Sequence, residues 1–541
     1  MDGLRLLRTV RHLKPIQVFG RLVEPLPRPA PAPAPAPGRR SLARPWAPPA
    51  ERAPSLVGPA RLRLLNEEHE VAAAAAWNDP RRSRLWLYNL HYFDMLASRA
   101  NAEQSAWARA LVERWIVENP PGQGAGWEPY PVSLRMVNWI KWALAGQPFE
   151  PSWLDSLAVQ ARWLERRIEW RLLGNHLIAN AKALAFAGLF FDGPEAERWR
   201  RKGLGLMRRQ LGEQVLADGG HFERSPMYHA IVLEDLLDLI NLVRATGCET
   251  LVDLAGWTAT AAAMRRWLAV MTHPDGEIGF FNDAAFGVAA RPAALRAYAG
   301  RLGLCAAEDA PAPLETLPES GYVRMSAGDA TALLDIAPIG PDHLPGHAHA
   351  DTLSFELSLG EERVIVNGGV SAYGEDARRQ TERSTASHST VEIGGENSSE
   401  VWAGFRVGRR ARPRDVQVRG GAPLEVAAAH DGYRGLPGAP LHRRRWRMQA
   451  GGLAVSDTIE AGDAPAGWAR YHLAPGVEVA ADAEGRQGVL LTPGGRRIRW
   501  RASGRACAQP SEWRPEFGVR LPTVQLAAPV GPGGLDVVFE W

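Results

Sequence analysis

Cysteine is scarce in this chain of 541 residues. Its three cysteines, Cys248, Cys305 and Cys507, are odd in number, widely spaced and without a CxxC pair. They therefore indicate neither a disulfide framework nor a zinc knuckle, and they leave the redox compartment open. The sequence also lacks a run of about 18 apolar residues, so we expect no transmembrane segment.

A strong charge of either sign is missing as well. Lys and Arg total 63 against 60 Asp and Glu, which gives a net charge of +3. No basic stripe with interleaved aromatic residues marks a nucleic-acid groove, so we expect no nucleic-acid partner. Tryptophan is abundant instead, at 20 residues. Such rings pack in large cores or stack on sugars, and core packing is the commoner use.

The N-terminal 50 residues differ from the rest. Residues 1–24 form a basic amphipathic segment that lacks the continuous apolar region of a signal peptide. Such a helix lies on a partner or a membrane surface or, more commonly, is a solvated N-terminal helix. Residues 25–50 are rich in Pro and Ala, which favours extended polyproline II, and we predict a spacer there.

Two large units follow this segment. Helical periodicity dominates residues 51–310, with candidate helices at 105–118, 131–144, 153–173, 176–191, 226–246 and 258–271. Successive helices with short loops build a bundle, a solenoid or an (α/α) toroid. Residues 318–541 contain short alternating segments separated by turns, which predicts an antiparallel β-sandwich and an α+β multidomain fold.

The segment GHAHADTLSF at residues 346–355 is the most specific motif. If it is a strand, His347, His349 and Asp351 share one face and gather two imidazoles and a carboxylate. With Asn367 and His388, His349 would make a three-ligand site of the kind that zinc accepts, although scattered histidines more often serve as hydrogen-bonded residues without a metal.

Two helix starts carry further polar residues. Asn175 follows a glycine and is predicted to be an N-cap, with His176 in the next turn. Ser225 before a proline predicts a second helix start, with Tyr228 in its first turn. The positive end of that helix would favour the Tyr228 phenolate. Taken alone, Asn175 is more often only a cap and Tyr228 only a packed side chain, and His176 could equally be a surface residue.

One helix face combines an arginine with tryptophans. Arg135, Asn138, Trp139 and Trp142 recur at helical spacing. An arginine beside a tryptophan suits an anionic sugar, through bidentate contact and stacking. The same pattern suits a core helix with one buried arginine.

Taken together, six segments resemble the heparinase II/III-like polysaccharide lyases, and in particular members associated with bacterial exopolysaccharide or capsule gene clusters. They are LYNLHYFDML (87–96), GWEPYPVSLRMVNWIKW (126–142), NH (175–176), SPMYH (225–229), GHAHADTLSFEL (346–357) and RSTASHSTV (383–391). The resemblance implies an N-terminal incomplete (α/α) toroid, a C-terminal antiparallel β-sandwich and an active site between them.

The resemblance also implies roles. Asn175 would neutralise a uronate carboxylate, Tyr228 and His347 would act as acid and base, and His176 would be a second active-site histidine. Zinc found in some relatives would be held by His349, Asn367 and His388, where the family usually has Asp in place of Asn. Substrate-binding residues expected from the matching segments are Tyr88, His91, Tyr92, Arg135, Asn138, Trp139 and Arg383.

The expected function is therefore a lyase that cleaves an acidic, uronic-acid-containing polysaccharide by β-elimination. The only cofactor to consider is one structural zinc ion, with no organic cofactor. A glycoside hydrolase using carboxylates among Glu223, Asp283 and Asp351, a metal-dependent hydrolase and a non-catalytic glycan-binding protein are the alternatives. The family implies a periplasmic or cell-envelope location, and a cytoplasmic one stays open without a readable signal peptide.

Overall fold

The computed structural model describes all residues except 1, 2, 25, 27, 28, 30, 32, 99–101, 305–310 and 462. Cys305 lies outside the described residues, and Cys248 and Cys507 are free thiols. The described chain divides into a helical unit and a sheet unit, as expected for the α+β class. None of the described helices has the length and apolar character needed to cross a bilayer.

The helical unit is the incomplete (α/α) toroid expected from the sequence. Two short helices precede it, α1 (Gly3–Val10) and α2 (Pro15–Val23), with a small hairpin of β1 (Arg61–Leu64) and β2 (Glu67–Glu70). The unit itself contains α3 (Arg84–Tyr92), α4 (Ala102–Glu118), α5 (Pro129–Leu144), α6 (Pro151–Glu165), α7 (Gly174–Phe190), α8 (Pro194–Gln214), α9 (Pro226–Ala245), α10 (Leu254–Val270) and α11 (Pro292–Arg301). Five of these helices have proline in their first turn, where a missing N–H costs nothing.

Helix α7 is the centre of this unit, since nearly all of its residues are buried. Glycines allow α8 to pack closely against it. A Cβ at Gly203 would lie 2.3 Å from the backbone nitrogen of Ala185, and a Cβ at Gly188 would lie 2.2 Å from that of Arg200. The two backbones therefore touch, which fixes the start of α7 relative to its neighbours.

The sheet unit is an antiparallel β-sandwich, as predicted. One sheet has the order β19-β20-β15-β7-β6-β5-β4-β3, with β8 also pairing with β15, and the other has the order β11-β12-β13-β14-β21-β18-β17-β16. The strands are β3 (Leu314–Leu317), β4 (Tyr322–Ala327), β5 (Ala330–Asp335), β6 (Phe355–Leu359), β7 (Glu362–Val366), β8 (Val391–Ile393), β9 (Val401–Trp402), β10 (Arg406–Val407), β11 (Pro413–Arg419), β12 (Leu424–His430), β13 (Leu441–Gln449), β14 (Gly452–Glu460), β15 (Gly467–Leu473), β16 (Glu478–Ala481), β17 (Gln487–Leu491), β18 (Arg497–Ala502), β19 (Cys507–Trp513), β20 (Leu521–Val530) and β21 (Leu535–Glu540), with the helix α12 (Ala377–Glu382) between β7 and β8.

Tryptophan serves the cores, as its abundance suggested. The largest fully buried side chains include Trp77, Trp86, Trp115, Trp139, Trp153, Trp199, Trp267, Trp446 and Trp500. Inside the sandwich, Phe355 lies 6.4 Å from Trp446 and 6.2 Å from Tyr471 between ring centroids, all in edge-to-face geometry.

The Pro/Ala-rich segment differs from the predicted spacer. Its described part has no helix and runs along the toroid, where the backbone nitrogen of Arg40 donates to the Phe190 carbonyl at 2.8 Å and that of Ala43 donates to the Ala245 carbonyl at 2.8 Å. Trp46 is 9% exposed and packs edge-on against Phe186. An extended backbone makes no internal hydrogen bonds, so its N–H groups can donate to carbonyls of the toroid. The segment is therefore bound along the toroid and is not a free spacer.

Candidate active site

Tyr228 lies in the first turn of α9, where the sequence predicts it. The Ser225 side chain caps the helix and accepts a hydrogen bond from the Tyr228 backbone nitrogen at 3.1 Å. The phenol ring faces the His347 ring, with centroids 3.9 Å apart. Its hydroxyl lies 3.0 Å from the hydroxyl of Tyr373. The structure therefore brings Tyr228 of the helical unit against His347 of the sheet unit.

The protonation of Tyr228 differs from the sequence-based expectation. The residue is 8% exposed, and this burial, followed by the influence of Tyr373, raises the pKa of the Tyr228 hydroxyl well above its ordinary value. A helix N-terminus contributes only about 0.3–1 kcal/mol in favour of a nearby negative charge, which loss of hydration outweighs. The prediction of an easily formed phenolate is wrong, and Tyr228 holds its proton in the free protein.

Asn175 lies at the start of α7 but does not cap it. The helix begins at Gly174, and Leu173 occupies the cap position with φ of 61° and no capping side chain. Asn175 instead directs two donors to Glu223. Its backbone nitrogen lies 3.1 Å from Oε1, and its Nδ2 lies 3.2 Å from each carboxylate oxygen. The first turn of α7 thus presents an anion-binding corner.

Glu223 occupies that corner. It is 1% exposed, and its Oε2 lies 3.6 Å from Nε2 of His347. Gly174 has φ of +54°, and a Cβ there would lie 2.4 Å from the Glu223 Oε1, so only glycine allows this approach. Sequence reasoning considered Glu223 only as a carboxylate of a hydrolase, although its position places it beside Asn175 and His347.

His347 and His349 do not converge through strand alternation. The segment at 346–354 is a loop that precedes β6, so the conditional prediction of a strand there is wrong. The two rings meet because both bind Asp283: Nδ1 of His347 lies 2.9 Å from Oδ2, and Nε2 of His349 lies 2.8 Å from Oδ1. Asp351 turns away and accepts from the Asn282 backbone nitrogen at 2.9 Å.

Asp283 is a buried carboxylate with a full set of partners. Arg379 donates to both of its oxygens, at 2.5 and 2.7 Å. Burial would raise the pKa of Asp283, but Arg379 and the two histidines hold it well below its ordinary range. An ionised Asp283 accepts from Nδ1 of His347, which leaves Nε2 as the ring nitrogen that faces Glu223.

Sequence reasoning considered Asp283 only as a carboxylate of a hydrolase and assigned no site role to Arg379 or Tyr373. All three lie outside the six segments that carry the family resemblance. Asp283 and Tyr373 come from irregular segments, and Arg379 from a helix of six residues. Neither setting has a periodicity that could have distinguished them in the sequence.

An aromatic row begins at His176, the residue after Asn175. The His176 ring lies 4.3 Å from that of Tyr130 and its Nδ1 lies 3.2 Å from Oε1 of Glu169. Tyr92 follows 5.9 Å from Tyr130, and Tyr88 lies 6.5 Å from Tyr92. His176 is therefore not part of the Tyr228–His347 pair, and Tyr130 is an aromatic residue of this row that the sequence did not reveal.

Three predicted substrate-binding residues are core residues. His91, Arg135 and Trp139 are each fully buried. Arg135 donates to Oε1 of Gln160 at 3.0 Å and lies 3.8 Å above the ring of Trp115. The prediction of sugar contact is wrong for these residues, because the helix face that carries Arg135 and Trp139 packs inside the toroid.

Two more predicted substrate-binding residues hold the backbone. Asn138 donates to the Tyr92 carbonyl at 2.9 Å and to Oδ1 of Asp94 at 2.7 Å. Arg383 is buried and donates twice to the Ala348 carbonyl, at 3.0 and 2.9 Å. As Ala348 lies between His347 and His349, Arg383 positions the histidine loop and does not face a substrate.

The predicted zinc ligands are only partly assembled. Nδ1 of His349 lies 3.1 Å from Nε2 of His388, and Nδ1 of His388 lies 2.7 Å from the Ser384 carbonyl. Asn367 is engaged elsewhere, since its Oδ1 accepts from the Ser389 nitrogen at 3.0 Å and its Nδ2 donates to the Phe280 carbonyl at 2.9 Å. Among the described residues, no group of three or more His, Cys, Asp and Glu side chains could hold a metal ion.

The histidine pair nevertheless fits a cation. Three hydrogen-bond contacts follow one another: Asp283 to His349, His349 to His388, and His388 to the Ser384 carbonyl. Asp283 and the carbonyl can only accept, so the three contacts need three protons on the two imidazoles. Burial lowers the pKa of His349 to about 4 and lowers that of His388, so the pair is neutral at pH 7 and supplies two. The contact between the facing nitrogens is thus one proton short, and a cation would fit there.

Comparison with known proteins agrees with this architecture. Residues 84–301 match the family described as Heparinase II/III N-terminus, and residues 309–534 match Heparinase II/III-like, C-terminal. FtsZ-localized protein C of Caulobacter vibrioides is 25% identical over 448 residues, which cover 77% of this chain and 74% of that protein.

A lyase and a solved lyase structure are also similar to the chain. The heparin-sulfate lyase of Pedobacter heparinus is 27% identical over 320 residues, which cover 52% of this chain and 47% of the lyase. The chain thus spans about half the length of that relative. A crystal structure of heparinase III has the same fold, with a TM-score of 0.67 and 17% identity over 88% of this chain and 78% of that one. The matched regions coincide with the toroid and the sandwich, and the chain belongs to the heparinase II/III-like family.

Proposed function

We propose that this protein is a polysaccharide lyase that cleaves an acidic, uronic-acid-containing polysaccharide by β-elimination. The observation that carries the proposal is the Tyr228–His347 pair, 3.9 Å apart between ring centroids, beside the donors of Asn175. Relatives named heparin-sulfate lyase support the reaction class. We further propose a location in the cell envelope, where such polymers occur.

His347 is the proposed base and Tyr228 the proposed acid. Nε2 of His347 takes the proton from C5 of the uronate, the electron pair forms the C4=C5 double bond, and the C4–O4 bond breaks. The departing O4 takes the proton of the Tyr228 hydroxyl, which Tyr228 retains at rest because burial raises its pKa. The proton on His347 then restores the phenol. Positioned proton transfers of this kind contribute about 10²–10⁴-fold each.

Asn175 and Glu223 are proposed to neutralise the uronate carboxylate. The proton at C5 is weakly acidic until the adjacent carboxylate loses its charge, and Asn175 at the start of α7 offers donors there. Glu223 already accepts from both nitrogens of Asn175. A uronate bound at this corner meets a second carboxylate, and two carboxylates in contact share a proton. That shared proton would neutralise the substrate as Asn175 binds it.

We also propose that His349 and His388 hold one zinc ion. When bound, it would supply the missing positive charge between the facing nitrogens and tie the loop of residues 346–354 to the segment around Ser384. The reacting groups, Tyr228 and Nε2 of His347, need no contact with it, and no organic cofactor is proposed.

The test is ultraviolet absorbance of the conjugated enol-ether product, with alginate, heparosan, hyaluronan and exopolysaccharide of the source strain as substrates. We expect a rising signal with one polymer and its loss in Tyr228→Phe. Tyr471→Phe is the matched control, since its buried hydroxyl has no hydrogen-bond partner in the described chain, and it should keep full activity. An active Tyr228→Phe protein would contradict the mechanism.

Glu223→Gln tests the shared proton. Glutamine keeps an acceptor for Asn175 but has no acidic proton to share, so kcat should fall about 10²-fold, the lower end of the range for one positioned proton transfer, while KM changes little. Steady-state kinetics between pH 5 and 9 measure both constants, and circular dichroism checks the fold. Wild-type kinetics across this range would remove Glu223 from the mechanism.

The other reactions considered have weaker support. A glycoside hydrolase needs two carboxylates that act on substrate, but both oxygens of Asp283 are bound by Arg379 and the two histidines. A non-catalytic role is the second candidate function, because FtsZ-localized protein C, which is similar over 77% of this chain, is named for a location and not for a reaction. Binding to a polymer without any ultraviolet signal across the panel would favour it.

A further inference from the structure

The two N-terminal helices direct their apolar sides outward. In α2 the buried residues are Gln17 and Gly20, and the opposite side of the helix carries Val18, Phe19 and Leu22, which are 47%, 60% and 72% exposed. A surface helix of a soluble protein normally buries its apolar face. Helix α2 shows the reverse arrangement.

Helix α1 has the same inverted arrangement. It has no buried residue. Arg5 and Arg8 form ion pairs with Glu400 of the sandwich, and the Trp402 indole donates to the Thr9 hydroxyl at 3.1 Å. The apolar residues Leu4, Leu7 and Val10, at helical spacing on the side away from Arg5 and Thr9, are exposed. The polar side of α1 therefore binds the protein.

Helix α2 is seated on the protein by its polar side. The Gln17 amide donates to the His343 carbonyl at 3.1 Å, and Lys14 at the start of the helix pairs with Glu213. Gly20 packs so closely that a Cβ there would lie 2.9 Å from the Cβ of Arg171. The two helices thus bind the sandwich, the toroid and the loop that leads to His347, and their outward side is fixed.

The exposed apolar surface of the molecule is concentrated here. Of the large apolar side chains that are exposed in the described chain, nine lie within the first 26 residues: Leu4, Leu6, Leu7, Val10, Ile16, Val18, Phe19, Leu22 and Leu26. The other eight are scattered from Leu42 to Leu521. Such a concentration of exposed apolar side chains is typical of an interaction site.

The surroundings of this patch are basic. Arg11, Arg21 and Arg406 are exposed, and no ion pair to a carboxylate is formed by these three within the described residues. Burial, followed by Arg171 and Arg406, lowers the pKa of Arg21, whereas Glu24, which pairs with Arg171, raises it. Exposed apolar residues on two helices, with arginines beside them, suit the headgroup region of an anionic bilayer.

We propose that the outward side of α1 and α2 docks on the surface of an anionic phospholipid bilayer. Leu7, Val10, Phe19 and Leu22 would enter the interface, and the arginines around them would contact the lipid phosphates. As α2 is bonded to His343, four residues before His347, docking would hold the cleft beside the membrane. This inference does not rest on the proposed lyase activity.

The test is sedimentation of the full chain with vesicles of phosphatidylcholine alone or with about a third phosphatidylglycerol. The anionic lipid gives the vesicle a negative surface that attracts basic segments. We expect binding to the anionic vesicles that weakens at high salt. The double variant Leu7→Glu/Phe19→Glu should bind at least about tenfold more weakly, as charges are placed in the apolar face. Val117→Glu is the matched control, because Val117 is 81% exposed on α4, and it should bind like the wild type.

Three outcomes would overturn the proposal. They are failure of the wild type to bind anionic vesicles, equal binding of the double variant, and a wild-type dimer in solution that the double variant converts to a monomer. The last result would assign the face to a second copy of the chain. The double variant should retain any activity on soluble polymer, so failure of docking is distinguishable from failure of the lyase proposal.

Discussion

The molecule contains two networks of the same chemical type, one in the cleft and one inside the sandwich. In the sandwich, Arg444 donates to both oxygens of Asp457, at 2.7 and 2.9 Å, and Nε2 of His442 lies 2.8 Å from Oδ1. The second nitrogen of His442 lies 3.2 Å from Nε2 of His430. In the cleft, Arg379, His349 and His388 are arranged around Asp283 in the same way.

The first difference is a third histidine. Asp283 also binds His347, whose side chain is 15% exposed and faces Tyr228, whereas the described partners of Asp457 are all buried. A buried aspartate held by an arginine and a histidine is therefore a structural element in this fold. It is part of the proposed reaction site only where a partner, His347, reaches the cleft.

The second difference is the number of protons. Nδ1 of His430 accepts from the Gly432 nitrogen at 3.1 Å, so His430 carries its proton on Nε2 and donates it to His442, which donates to Asp457. Two neutral imidazoles satisfy every contact in the sandwich. In the cleft, Nδ1 of His388 faces the Ser384 carbonyl and must donate to it. Two neutral imidazoles then have no proton left for the contact between His349 and His388.

The largest expected effect is on kcat, and it should distinguish the Asp283 network in the cleft from the Asp457 network in the sandwich. His347→Gln should lower kcat by about 10²–10⁴-fold, the value of one positioned proton transfer, with little change in the free energy of unfolding. His442→Gln should destabilise the protein but leave the kcat of the folded fraction unchanged. Kinetics and urea unfolding of both variants measure this contrast. Equal losses of kcat would mean that the cleft network is structural too.

The sequence was most informative about elements with a period. Proline and the Ser225 cap marked the start of α9, and alternation marked the sandwich strands. The roles proposed for Asn175, Tyr228 and His347 came from matching motifs, not from periodicity. Arg135 and Trp139 showed the limit of this reasoning, because a face that binds a sugar and a face that packs in a core have the same spacing.

The contacts between residues of different motifs could not be predicted from the sequence. Asp283 joins His347 and His349 from a loop about 64 residues earlier in the chain, and Glu223 meets Asn175 through a close approach that depends on Gly174. Such contacts arise from how the toroid and the sandwich dock. The pKa of Tyr228 depends in the same way on burial, which overrides the helix end that the sequence makes visible.

A smaller effect concerns acid. Burial would raise the pKa of Asp457, but Arg444 and His442 lower it to about 2. The unfolded value is near 3.9, so the carboxylate contributes about 2 kcal/mol of stability above pH 4, which is lost as the pH falls from about 4 to about 2. Asp457→Asn should lower stability at pH 7 and flatten this slope in urea unfolding at graded pH. An unchanged slope would show that other carboxylates cause the acid sensitivity.

The smallest expected effect concerns the proposed zinc ion between His349 and His388. Elemental analysis of the purified protein should find up to one zinc per chain, and a chelator should lower stability by about 1 kcal/mol, as for a ligand near ten times its Kd, with less than a twofold change in kcat. Two imidazoles and an amide already bound to Ser389 make a weak site. His388→Gln should abolish zinc binding, whereas His430→Gln, in the pair whose contacts two protons satisfy, should leave it unchanged. Zinc lost in both variants, or in neither, would mean that proton balance does not distinguish the two pairs.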